Sequence, residues 1–309
     1  MAREAIPKHD TLPPESDGLY GTEFSGKPLT LAMLGDSSAA GLGVEVPRET
    51  PAALLASGLS RIAQRPVKVI CVAVIGAESR GLLPQVAKVL PYAPDVAVAM
   101  IGGNDVTHRV LPAVAVRHLD QAVRTLVEAG AEVIVGTCPD LGTIEPIQPP
   151  LRWVARRWSR QLAAAQTIAV VEAGGRSVSL GDLLGPEFAA RPAQMFSADR
   201  FHPSAAGYAS AAAAMLPSVA AALGLGADTQ AAPSIARGEA VLSLPQAAVE
   251  AADEAGTEVS ATAVNGRDRG RRGRWVELRH RIRFFTNSPE DPSVDEDGPH
   301  GRTAAWGAR

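Results

Sequence analysis

The chain has 309 residues, of which 46% are hydrophobic, so it can bury a core of ordinary size in one large domain or two small ones. Its formal net charge of -3 excludes the basic footprint that general nucleic-acid binding requires. Its two cysteines, Cys71 and Cys138, are too few for a disulfide framework or a zinc site, and both are predicted to be small buried hydrophobic residues.

Uninterrupted apolar runs predict five strands that are buried on both faces, as in a parallel sheet covered by helices. The runs cover residues 29–34, 67–75, 95–101, 132–137 and 177–180. Helical patterns fill the intervals and give the order βαβαβαβα, for which right-handed crossovers are the rule. The predicted fold class is therefore α/β, with three α/β/α layers around a five-stranded parallel sheet.

Composition divides the chain into three parts. Residues 1–28 contain four prolines and several charges, which predicts an extended lead-in. Residues 29–225 carry the apolar runs and helical patterns and are predicted to form the folded domain. Residues 226–309 show little periodicity and blocks of like charge, which is typical of a low-order charged tail. The arginine-rich block at residues 267–283 gives this tail an alternative role in peripheral contact with an anionic membrane surface.

The beginning of the chain bears on its location in the cell. Met1-Ala2-Arg3-Glu4 lacks the apolar region of a secretory signal, and no run of about 18 apolar residues occurs. As written, the sequence predicts a cytoplasmic protein. The alternative is a membrane-associated or exported protein whose start was mis-assigned downstream of an apolar anchor. The sequence makes no prediction of the oligomeric state.

A helix that follows the proline-rich segment 138–150 combines an apolar face with several arginines. The residues predicted to share the apolar face are Leu151, Val154, Trp158, Leu162 and Ala165. The arginines, most of which lie elsewhere on the helix, are Arg152, Arg156, Arg157 and Arg160. This basic patch is either a solvated face or a surface that steers anionic or lipid substrates.

Three polar motifs stand out against this framework. Ser37 follows the first strand within Gly35-Asp36-Ser37, at the strand end where open parallel sheets bind ligands, and becomes a nucleophile if a base reaches it. Asn104 lies in Gly-Gly-Asn-Asp, directly after another apolar run. Asp199 and His202, three residues apart, then supply the carboxylate and the imidazole that a Ser-His-Asp arrangement requires.

In these motifs the chain resembles the SGNH hydrolases, also called the GDSL esterase/lipase family, over about residues 29–225. Gly-Asp-Ser at 35–37 fits the first block, and Ser38 stands where the family name would have leucine. Gly76 fits the second block, Asn104 the third, and Asp199-Arg200-Phe201-His202-Pro203 the last. The resemblance implies a flavodoxin-like SGNH fold and a serine esterase without a cofactor or metal.

The resemblance also implies roles for particular residues. Ser37 would be the nucleophile, His202 the general base and Asp199 its partner, with an acyl-enzyme intermediate on a small acyl-ester or lipid-like substrate. The oxyanion hole would consist of the backbone amides of Ser37 and Gly76 and the side-chain amide of Asn104. Thioesterase, lysophospholipase and carbohydrate deacetylase activities remain open, as does a non-catalytic flavodoxin-like binding module.

Three further polar residues lie near these motifs. His108 is a candidate substrate contact near Asn104, although a bond to the loop backbone is the alternative. Asp105 is expected to hold its loop in place. Asp140, in the proline-rich segment, could neighbour the substrate. The sequence lacks the signatures of two competing folds: the G-x-G-x-x-G of phosphate-binding flavodoxin-like proteins and the G-x-S-x-G of α/β-hydrolases.

Overall fold

A parallel sheet forms the centre of the protein, whose computed structural model describes residues 12–225 and the backbone of residues 258–259, 263–264 and 267–268. The strands of this sheet are β1 (Gly18–Tyr20), β2 (Leu29–Gly35), β3 (Val67–Cys71), β4 (Val96–Met100), β5 (Glu132–Gly136), β6 (Arg176–Val178) and β7 (Glu258–Val259). Their order is β1-β3-β2-β4-β5-β6-β7, with parallel pairing from β3 to β6. The predicted five-stranded parallel sheet is thus confirmed, with an antiparallel strand at each edge.

The edge strand β1 differs from the prediction, because it lies within residues 1–28, which we expected to be an extended lead-in. It pairs antiparallel with β3, with Gly18 opposite Val69. The carboxylate of Asp17 also accepts a hydrogen bond from the Cys71 backbone N–H at 2.6 Å. The sheet therefore begins before Leu29. The predicted tail, residues 226–309, lies outside the described residues apart from β7 and a two-stranded pair, Ala263–Val264 (β8) and Arg267–Asp268 (β9).

Helices cover both faces of the sheet. Within residues 12–225 they are α1 (Ser37–Ala40), α2 (Pro51–Ala63), α3 (Leu82–Val89), α4 (Gly103–Thr107), α5 (Pro112–Glu128), α6 (Leu151–Glu172), α7 (Leu180–Ala190), α8 (Pro192–Met195) and α9 (Ala205–Ala222). Single turns of 3₁₀ helix lie at Pro47–Glu49, Ser79–Gly81, Leu90–Tyr92 and Leu141–Thr143. One core packs α2 and α9 on the sheet, and a second packs α3, α5 and α6 on its other face. Alternate residues of β2 and β4 point into the two cores, so both strands are apolar throughout.

Helix α9, at the end of the domain, packs against the beginning of the domain. By length and hydropathy it could cross a membrane, and no other helix within residues 12–225 could. Its Met215 and Val219 are nevertheless buried in the core beneath the sheet. The buried hydroxyl of Tyr208 donates to the Leu42 carbonyl at 2.6 Å. We conclude that α9 is a core helix that fixes the chain before it against the loop after α1.

Candidate active site

A tight turn at the carboxyl end of β2 positions Ser37. Gly35 has φ +132°, and a Cβ atom there would lie 1.9 Å from the Met100 carbonyl oxygen, so only glycine allows this approach to β4. The Asp36 backbone N–H donates to that carbonyl at 3.1 Å. The Asp36 carboxylate caps α1 by accepting from the Ser38 backbone N–H at 2.9 Å. Ser37 therefore begins a helix directly at the strand end.

The structure brings the three predicted catalytic residues together. Ser37 Oγ lies 2.9 Å from His202 Nε2, and His202 Nδ1 lies 2.5 Å from Asp199 Oδ2. The other Asp199 oxygen accepts from the Ser197 hydroxyl at 2.7 Å and from the backbone N–H groups of Phe201 and His202 at 2.8 and 2.9 Å. The Asp199 carboxylate is thus fixed from its own loop. Ser197 was not predicted, and its only signal in the sequence is its position two residues before Asp199.

The charge of Asp199 determines which nitrogen of His202 carries the proton. Burial alone would raise the pKa of Asp199, but hydrogen bonds from His202, Phe201 and Ser197 outweigh burial and hold it below its usual range. An ionised carboxylate can only accept hydrogen bonds, so His202 Nδ1 donates to it. In the neutral imidazole Nε2 is then the acceptor, and it faces the Ser37 hydroxyl.

Two of the three predicted oxyanion donors belong to one cavity. Ser37 and Asn104 both line it. Asn104 Nδ2 donates one hydrogen to the Ala77 carbonyl at 3.1 Å, and its amide carries a second. Gly76 precedes Ala77 in an exposed loop with φ +76° and is not among the cavity-lining residues. Its role as a donor stays a prediction.

The loop with Gly76 is anchored by Asp105. The carboxylate of Asp105 is fully buried and accepts from the Ser79 backbone N–H at 3.1 Å and from the Ser79 hydroxyl at 2.9 Å. Burial raises the pKa of Asp105. The His108 side chain does not line the cavity: its Nδ1 lies 2.8 Å from Glu78 Oε1, and the side chain is largely exposed. The Glu78 carboxylate accounts for this orientation.

The cavity beside Ser37 has a volume of about 90 Å³ and mostly apolar walls. Side chains from β4, α7 and the segment before Asp199 line it, among them Met100, Leu180, Leu184, Phe188 and Phe196. Asp140 lines it too, as its position in the sequence suggested, but its carboxylate already has partners. It accepts from the Gly142 backbone N–H at 2.8 Å and lies 3.2 Å from Arg156 Nε and 3.6 Å from Arg160 Nη2.

Two buried glutamines that the sequence analysis missed support the strand ends. Gln85 accepts from the Gly35 N–H at 2.8 Å and donates to the Gly35 carbonyl at 2.9 Å. Gln166 accepts from the Cys138 N–H at 2.7 Å and donates to the Ile101 carbonyl at 3.0 Å. They complete the backbone hydrogen bonds where β2 and β4 lead into Ser37 and Asn104. In the sequence, each of these glutamines could be recognised as a polar residue on the apolar side of an amphipathic helix.

Asp36, next to the nucleophile, is a buried carboxylic acid. Burial raises its pKa to about 6, although the Ser38 N–H and the positive charge of His202 act in the opposite direction. Because the unfolded chain releases this proton near pH 3.9, folding is penalised progressively as the pH rises from about 4 to about 6. Above pH 6 the full penalty applies, up to roughly 3 kcal/mol.

We therefore expect Asp36→Asn to stabilise the protein at pH 8 and to have little effect at pH 4. Asparagine keeps an acceptor for the Ser38 N–H and cannot ionise. Urea unfolding at both pH values measures the difference, with the exposed Glu128→Gln as the matched control. Equal stabilisation at pH 4 and pH 8 would show that the charge of Asp36 is not its cause.

A serine, an imidazole and a carboxylate joined in this order at the end of a three-layer α/β sheet define a serine hydrolase. Residues 33–210 match the model of the GDSL-like lipase/acylhydrolase family. A curated GDSL-like esterase, Rv1075c of Mycobacterium tuberculosis, is 43% identical over 224 residues, which is 68% of this chain and 71% of that protein. The chain belongs to the GDSL-like lipase/acylhydrolase family and is an enzyme that acts on ester bonds.

Solved structures agree with the fold. A variant of Axe2, an acetyl-xylooligosaccharide esterase from Geobacillus stearothermophilus, has a TM-score of 0.51 at 19% identity, covering 64% of this chain and 95% of its own. LAE5, an alpha/beta hydrolase enzyme from the metagenome of Lake Arreo in Spain, has a TM-score of 0.50 at 21% identity, covering 64% and 97%. At such identities the likeness shows the fold alone. Within residues 12–225, no group of three His, Cys, Asp or Glu side chains could hold a metal ion.

Proposed function

We propose that the protein hydrolyses carboxylic esters with apolar acyl groups through an acyl-enzyme intermediate. The observation that carries this proposal is the hydrogen-bonded chain from Ser37 through His202 to Asp199, which opens on an apolar cavity. Ser37 Oγ attacks the ester carbonyl carbon as its proton passes to His202 Nε2. The bond to the alcohol oxygen then breaks, and His202 returns the proton to that oxygen. Water repeats the sequence on the acyl-enzyme and regenerates Ser37.

The negative charge that develops on the carbonyl oxygen needs donors. The free hydrogen of Asn104 Nδ2 and the Ser37 backbone N–H, at the start of α1, are the nearest candidates by position. The Gly76 backbone N–H would be the third. Each such donor is typically worth about 10² to 10³ in rate. The anchoring of Ser79 by Asp105 supports this arrangement, since it fixes the loop that carries Gly76.

The cavity supports an apolar acyl group rather than a bare acetyl group. Its walls are aromatic and aliphatic, and a short or medium acyl chain would remove them from water. Its roughly 90 Å³ has room for more carbon atoms than an acetyl group contains. Asp140, one of the polar residues that line the cavity, already has a hydrogen-bond donor and an ion-pair partner of its own. This favours an esterase for longer acyl groups over a carbohydrate deacetylase.

Hydrolysis of p-nitrophenyl esters from acetate to palmitate tests this proposal. We expect a maximum at a short or medium chain, and Leu184→Trp should move it to shorter chains, because the larger ring fills the cavity. Each excluded methylene is worth about 10- to 200-fold in kcat/KM. Ala190→Trp is the matched control, since Ala190 lies on the same helix, is exposed and does not line the cavity. An unchanged profile in Leu184→Trp would place the acyl group elsewhere.

A further inference from the structure

A set of six large, exposed apolar side chains lies at the beginning of α5 and α6. We name it the helix-start face, and its members are Leu111, Val114, Leu151, Trp153, Val154 and Trp158. Leu111 is 69% exposed and Trp153 67%. Of the five residues predicted to share the apolar face of α6, only Leu162 is fully buried, and Leu151, Val154 and Trp158 are exposed.

The composition of the helix-start face is unusual for a solvated surface. Trp153 and Trp158 are the two tryptophans within residues 12–225, and both are exposed on neighbouring turns of one helix. Large apolar side chains that cluster in solvent mark interaction sites more often than isolated ones do. Tryptophan in particular favours the boundary between water and lipid, where its ring is apolar and its N–H remains hydrogen-bonded.

The charge around this face is positive. Residues 109–117 and 147–160 contain six arginines and no acidic residue. Arg109, Arg117 and Arg157 are exposed, while Arg156 and Arg160 are partly neutralised by Asp140. Exposed indole and aliphatic groups among guanidinium groups match a surface of anionic lipid headgroups over an apolar interior.

The face adjoins the catalytic cavity through a cleft beside Trp153. Helices α5 and α6 follow β4 and β5 in the chain, so both begin on the side of the sheet where the parallel strands have their carboxyl ends and where Ser37 lies. The two helices pack against each other. A cleft of about 300 Å³ lies beside α6 and is lined by Arg152, Trp153 and Arg156, together with one acidic residue, Glu145. Thr143 lines both this cleft and the cavity next to Ser37.

We propose that the helix-start face docks on an anionic lipid surface and brings the catalytic cavity to acyl esters held there. The indole and aliphatic side chains enter the headgroup region, and the arginines pair with lipid phosphates. Docking itself rests on the exposed residues and their charge alone. The further statement that the substrate is a lipid-borne ester rests on the proposed function.

Vesicle sedimentation of the full chain tests the docking. We expect binding to phosphatidylcholine vesicles that contain about one third phosphatidylglycerol, and much weaker binding to phosphatidylcholine alone. Replacing Trp153 and Trp158 together by alanine should lower partitioning by about tenfold or more. The matched control is Tyr92→Ala, because Tyr92 is an exposed aromatic residue just before β4, on the side of the sheet where the parallel strands have their amino ends. Equal binding by the double variant and the control would overturn the proposal.

A second measurement identifies the part of the chain that enters the lipid. In a variant with Trp275→Phe and Trp306→Phe, Trp153 and Trp158 are the remaining indoles of the whole chain. Brominated lipid should quench their fluorescence in anionic vesicles. Sedimentation without quenching would assign binding to another segment and overturn the proposal. Concentration-dependent dimerisation that the Trp153/Trp158 double variant abolishes, without vesicle binding, would instead assign the face to a second copy of the chain.

Docking and catalysis can fail separately. Ser37→Ala removes only the proposed nucleophile, which is buried and is not a member of the helix-start face, so this variant should bind vesicles as the wild type does. Vesicle binding without Ser37-dependent hydrolysis would leave docking standing and remove the esterase mechanism. Ser37-dependent hydrolysis of p-nitrophenyl esters without vesicle binding would do the reverse.

Discussion

Ser37→Ala is expected to lower kcat for p-nitrophenyl esters by about 10⁶ and to leave the fold intact. The exchange removes one oxygen atom whose hydrogen-bond partner is His202 Nε2 at 2.9 Å. Ser37 is the residue of the Gly-Asp-Ser motif whose hydroxyl contacts His202, so we expect no other hydroxyl to form the acyl-enzyme. Residual turnover would come from the oxyanion donors and substrate binding alone.

Ser38→Ala is the matched control for this prediction, because it removes the same atom one residue along the chain. Ser38 contributes its backbone N–H to the Asp36 carboxylate, and that bond survives the exchange. Thermal unfolding should show both variants folded. A folded Ser37→Ala protein that keeps most of its activity would disprove the nucleophile assignment.

Asp199→Asn is expected to lower kcat by about 10⁴ with little change in KM. One oxygen of Asp199 accepts from Ser197, Phe201 and His202, so the asparagine oxygen should take that position and its NH₂ group should face His202 Nδ1. Nδ1 must then accept, which moves the ring proton to Nε2. A protonated Nε2 cannot take the proton of Ser37.

Ser197→Ala provides the comparison for Asp199→Asn. It removes one donor from the Asp199 carboxylate but keeps the carboxylate charge, and two backbone N–H groups still hold the loop. We expect a loss of about tenfold or less, as for one neutral hydrogen bond. If Ser197→Ala and Asp199→Asn lost activity equally, the orientation of the loop, and not the tautomer of His202, would be the decisive property.

The fold could be predicted from sequence because its signals are local, and the triad because its motifs resemble those of a known family. A strand buried on both faces is a run of apolar residues, and β2, β4 and β5 lie within or next to such runs. Ser37 and Asn104 follow directly after two of these runs. Parallel strands end at one edge, so the positions of these residues in the chain implied their proximity.

The remaining features depend on tertiary contacts that no local pattern reveals. A stripe such as Leu151, Val154 and Trp158 predicts an apolar side of a helix but not whether it is covered, and here all three side chains are exposed. Gln85 and Gln166 became buried because backbone groups at strand ends needed partners. β1 is a three-residue strand, which is too short for a periodicity signal.

The proposed triad joins residues that lie far apart in the chain. Ser37 and His202 are separated by 165 residues, and the hydrogen bond of Tyr208 with Leu42 closes a loop of similar size. A nascent chain that has exposed five strands but not α9 contains the nucleophile without a base held against it. If this triad carries the activity, ester hydrolysis would begin only after α9 has left the ribosome and docked, so that the onset of activity in a translation reaction would date this long-range step of folding.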